Sequence, residues 1–148
     1  MTEHPSRLFA SDVDVVHVGE GLISRTLPRA EWTHEAHLAA TTYLLLKRPE
    51  IDVDRELPGL IRRYNESVGG VNSDSEGYHE TITRLFLLGV RLFLEEADAS
   101  QPLHALVNEL LLSPMGSRDW PLRFYSPQRL FSVEARRQFI EPDLRALP

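Results

Sequence analysis

Apolar residues return at three- and four-residue intervals through most of this chain, the period of an α-helix with one face against a core. The clearest stripe runs through residues 74–96. His79, Ile82, Thr83, Phe86, Val90 and Phe93 fall on one side, with Arg84, Arg91 and Glu95 opposite. Ser73-Asp74-Ser75-Glu76 has the form of a capping box, in which Ser accepts from a first-turn amide and Glu reaches back. A helix over this span would be roughly 33 Å long, enough to cross a small domain.

Residues 33–48 predict a second helix, with Thr33 as its N-cap and Pro49 after its end. It is apolar nearly all round, so it belongs at the centre. Residues 58–68 predict a shorter one, with Pro58 in its first turn and Gly69-Gly70 closing it. Leu60, Ile61, Tyr64 and Val68 give it one apolar face. Residues 101–112 predict another, capped by Ser100, with Leu103, Leu106, Val107, Leu110 and Leu111 inward. Residues 12–25 are rich in valine, which suits a strand. No partner strand is visible, so they are read as a helix that Ser11 or Asp12 caps. After Pro114 the prolines crowd together, and the pattern becomes a tail of short turns with helix starts at Ser126 and Ser132.

The fold expected is therefore all-α: one domain over residues 1–148, with about five main helices. The helical body covers about 12–112, and a Pro-, Arg- and aromatic-rich tail packs over it from about 113 to 148.

Composition narrows the chemistry. There is no cysteine among the 148 residues, which excludes a disulfide framework, a thiol nucleophile and thiolate metal sites. Net charge is −6; the 114–148 stretch, with six Arg against four acids, is mildly basic. That asymmetry is too small for a phosphate-binding surface, so no nucleic-acid partner is expected. Trp120, Phe124, Tyr125, Phe131 and Phe139, interleaved with arginines, are read instead as anchors of the tail on the body. The longest apolar run, Leu85 to Val90, is too short to span a membrane. Met1-Thr2-Glu3-His4-Pro5 has neither the basic nor the apolar part of a leader. A cytoplasmic location is expected.

Three of the six histidines invite a functional reading. His34 and His37 share one face of the 33–48 helix, in its first turn, and His79 lies early in the 74–96 stripe. One short helix stands between those two, and short connections favour antiparallel neighbours, so two reversals make the outer helices parallel. Their N-terminal ends then meet, and with them the three rings. Thr41 follows His37 by four residues and Thr83 follows His79 by four, each placed to line the same pocket. Asn65, Asn72 and Tyr78 come from the adjoining segment, whose glycines allow a lid.

Two chemistries fit these residues. In the first, His34, His37 and His79 ligate a divalent transition metal such as zinc, iron, nickel or manganese. Glu80 or Glu76 then acts as ligand or base, with Tyr78 orienting a small substrate for hydrolytic or acid/base chemistry. In the second there is no metal. Two helix N-termini, each carrying about half a positive charge, disfavour a cation and favour an anion. Neutral histidines and Tyr78 would then hold a small anionic or carbonyl-bearing ligand, with Asn65, Asn72, Thr41 and Thr83 around it. A third reading makes the histidines core residues of a structural protein or homodimer, each bonded to a backbone carbonyl. His4, His17 and His104 attract no role, and Trp32 is read as a packing residue where its helix begins.

Trp32-Thr33-His34-Glu35-Ala36-His37-Leu38, Tyr64-Asn65, Gly77-Tyr78-His79-Glu80-Thr81-Ile82-Thr83, Ala135-Arg136 and Pro142-Asp143-Leu144 together resemble a family of small bacterial helical proteins. The likeness covers about residues 27–147. It implies a helical cytoplasmic protein with a histidine-marked site at His34, His37, Tyr78, His79, Glu80 and Thr83, and no particular activity.

Overall fold

The computed structural model describes residues 8–148. His4 and the start of the chain, read above as lacking a leader, lie outside them. Every regular element among the described residues is helical: α1 (Asp12–Ser24), α2 (His34–Lys47), α3 (Val53–Ser67), α4 (Glu80–Glu96), α5 (Leu103–Leu112), and two short helices, α6 (Pro127–Leu130) and α7 (Val133–Arg137). Single 3₁₀ turns stand at Arg29–Glu31, Pro114–Gly116 and Trp120–Arg123. This is the all-α bundle of five main helices that the periodicity implies. No described helix is long and apolar enough to cross a membrane.

The core is assembled around α2, which touches α1, α3, α4 and α5. Its run of Ala36, Leu38, Ala39, Ala40, Thr41, Thr42, Tyr43 and Leu44 is buried on all sides, as a helix without a polar face requires. Thr33 caps it, accepting from the Ala36 amide at 3.1 Å. The closest pairing is α1 against α2, and Gly19 permits it: a Cβ there would run into the ring of Tyr43. The valine-rich segment is helical because Val15, Val18 and Leu22 make one buried stripe, leaving Val13 and Val16 outward.

Three boundaries differ from the sequence reading. Helix α3 starts at Val53, not near Pro58. Asp52 accepts from the Arg55 amide and Glu56 reaches back to the Asp52 amide at 2.7 Å, so Pro58 falls inside the helix. Helix α4 starts at Glu80, not at 74. The supposed capping box closes a turn instead, with the Ser73 amide on the Glu76 carbonyl at 2.9 Å. Gly77 then takes a left-handed φ of 83° that breaks any continuous helix. Ser100 does not cap α5; Asp12, the first residue of α1, accepts from the His104 amide at 2.8 Å. The tail does pack over the body. Trp120, Phe124, Tyr125, Leu130, Ala135 and Ile140 are buried, but Phe131 and Phe139 are exposed and do not anchor it.

Candidate functional site

A cavity of about 580 Å³ opens where the turn before α2, the end of α3, the 70–79 loop, the first turn of α4 and the tail meet. Ligand sites commonly have this size. His37 and His79 both line it, so the N-terminal ends of α2 and α4 do converge, as two helix reversals require. Tyr78, Thr83 and Asn65 line it too. Glu76 lines it as well, and the remaining predicted residues are placed elsewhere.

The three histidines have different surroundings. His79 is the N-cap of α4: its Nδ1 accepts from the Ile82 amide at 3.1 Å, and its Nε2–H donates to the Leu130 carbonyl at 2.8 Å. Both nitrogens are committed, so no lone pair remains for a metal. Burial holds its pKa below the ordinary imidazole value, against the opposing pull of the Leu130 carbonyl. His34 points away from the cavity. Its Nε2–H donates to the Gly116 carbonyl at 2.8 Å, its ring stands edge-on to Phe86, and burial lowers its pKa.

His37 is the exception. It is half-buried, it faces the cavity, and neither ring nitrogen has a hydrogen-bond partner among the described residues. Its pKa is pushed down to about 4, chiefly by loss of solvation and secondarily by the neighbouring His34. At neutral pH it is therefore an uncharged ring with one N–H to give and one lone pair to receive with. Trp32 lies 5.5 Å from it, tilted by 31°, and Tyr64 lies 5.3 Å from Trp32. Trp32 is thus part of the cavity wall, beyond the packing role expected of it.

His34 and His79 are each tied to main-chain oxygen, and among the described residues no group of three or more His, Asp or Glu side chains is placed to hold an ion. Glu80 does not reach the cavity. Its Oε1 accepts from the Tyr78 hydroxyl at 2.5 Å and its Oε2 from Arg84 at 2.9 Å. Tyr78 thereby contributes its ring, not a free hydroxyl, to the wall. Burial and the Glu80 carboxylate both raise the pKa of that phenol, and Arg62 lies over the ring at 4.5 Å.

Asn72 acts on the loop: it accepts from Asn65 at 3.1 Å and from the Tyr78 amide at 3.0 Å. Thr41 bonds back to the His37 carbonyl at 2.9 Å and lies outside the cavity. Thr83, buried, sits beside the Tyr78 phenol.

The sequence reading missed Arg29, Tyr64, Phe131 and Arg136 as lining residues. Arg136 arrives from α7 and donates to the Gly77 carbonyl at 3.0 Å, closing the cavity against the loop. Only the three-residue step from Arg29 to Trp32 carried a local signal, since side chains three apart overlie in a 3₁₀ turn. No known protein family, curated protein or solved structure matches the chain.

Proposed function

We propose that this chain is a small-molecule binding module that works without a metal, holding a carbonyl or anionic group of its ligand against His37. One observation carries this reading: an uncharged imidazole with unused hydrogen-bonding capacity faces a cavity of ligand size. A half-buried ring that borders a cavity and has no partner among the described residues is available to a group that enters it.

Binding is favoured over general base catalysis by the same ring. A base works best when its pKa lies near the working pH, and His37, at about 4, holds a proton too weakly for that. Two of the other expected catalytic groups, Glu80 and Tyr78, are engaged with each other.

The reading is tested by a ligand-observed NMR screen of a general fragment library against the wild type and His37→Phe. Hits that bind the wild type and are weakened by the substitution are expected. A library without hits, or hits indifferent to residue 37, would contradict the reading.

A further inference from the structure

The cavity wall specifies more than size. We propose that its occupant is a flat aromatic monocarboxylate, with its ring against the indole of Trp32 and its carboxylate shared by Arg29 and the N–H of His37, an inference that rests on the cavity being a ligand site.

The accessible part of the wall is the partly exposed indole of Trp32. Tyr64, fully buried, backs that indole at 5.3 Å and spends its hydroxyl on the Leu27 carbonyl at 2.9 Å. Phe131, 61% exposed, stands at the rim and extends the apolar surface outward. Offset and edge-on contacts between aromatic groups add to the burial of their area, which favours a planar aromatic ligand over an aliphatic one of equal size.

The charge is equally specific. Arg29 and Trp32 lie three apart in one 3₁₀ turn, where the Trp32 amide bonds to the Arg29 carbonyl at 3.1 Å. Their side chains overlie on the same side of that turn and both line the cavity. The guanidinium of Arg29 is on an exposed residue and has no hydrogen-bond partner among the described residues; its charge and the larger, opposing one of Glu31 both act on the Tyr64 phenol. The other lining cation, Arg136, is already engaged with the Gly77 carbonyl. One lining acid, Glu76, offsets one of the two cations.

The exposed Arg29 guanidinium thus stands at the cavity beside Trp32, suited to pair with a carboxylate. A phosphoryl dianion would find no second free cation among the lining residues and would face Glu76. A neutral carbonyl would leave Arg29 unused.

The test uses four probes on the full chain: naphthoate, naphthamide, cyclohexanecarboxylate and naphthyl phosphate. Each is titrated with tryptophan fluorescence as the readout; Trp120, buried elsewhere, serves as the background. Naphthoate is expected to bind about tenfold tighter than each of the other three, with Arg29→Gln narrowing the naphthoate-to-naphthamide ratio to near one. Equal binding of naphthamide, equal binding of cyclohexanecarboxylate, or tighter binding of naphthyl phosphate overturns the proposal and leaves the cavity reading standing. A ratio unchanged in Arg29→Gln also overturns it. Failure of all four probes overturns this proposal, and the fragment screen then decides separately whether the cavity binds anything.

Discussion

Arg84 donates at 2.8 Å to the carbonyl of Asp54, the acceptor that Pro58 leaves without its helical amide. Proline inside a helix removes one i-to-i−4 bond, and here the neighbouring helix supplies the missing donor. Arg84 also holds Glu80, and Arg91 holds the Asp54 carboxylate at 2.7 Å. The polar seam between α3 and α4 thereby fixes Glu80, and through it Tyr78, at the cavity wall. Arg84→Met is expected to cost about 1 kcal/mol of stability in urea unfolding. In a Pro58→Ala background, where an amide returns, the cost should shrink. Equal costs in both backgrounds would show that the carbonyl was never the point.

His79 serves the fold at two atoms, as a cap and as a donor to the tail. His79→Ala loses both and should destabilise by about 2 kcal/mol. His79→Asn retains an oxygen able to cap α4, so it should recover part of that loss while leaving the Leu130 carbonyl without its donor. Thermal or urea unfolding ranks the three proteins. An alanine variant as stable as the wild type would release His79 for a ligand role.

Stability should fall as acid reaches His37. Its folded pKa lies near 4, below the ordinary value of 6.5. Between those values the unfolded chain takes up a proton that the folded one refuses, so stability present above about pH 6.5 is lost as pH falls toward about 4. His34 and His79 are shifted in the same direction by burial. The His37 share is about 2 kcal/mol, less than full conversion because the ring borders an open cavity. Unfolding in urea across that range, for the wild type minus His37→Phe, isolates it. Parallel pH profiles would contradict the assignment.

Local signals carried much of the architecture and little of the cavity's far wall. The apolar girth of α2 placed it at the centre, and Thr33 marked its start because a threonine hydroxyl is a common cap. The start of α4 was misread because Ser73 and Glu76 match a capping pattern while the actual cap is an imidazole, whose nitrogen does the same task without a familiar motif. Asp52 and Glu56 were a readable start for α3, overshadowed by Pro58. The convergence of His37 and His79 came from counting reversals. Which ring stayed free did not, because the carbonyls that engage His34 and His79 come from Gly116 and Leu130, more than 50 residues away in each case. Phe131 and Arg136 reach the cavity by the same long-range route.

The proposed ligand binding turns on one ring, that of His37. Nitrogen NMR of the histidine side chains near pH 6, with and without naphthoate, follows each imidazole separately. The prediction is that His37 is uncharged there and that its nitrogen signals move on addition, while those of His34 and His79 keep the pattern of rings bonded to carbonyl oxygen. A His37 already protonated at that pH, or one whose signals stay fixed while another ring responds, would contradict the role given to it.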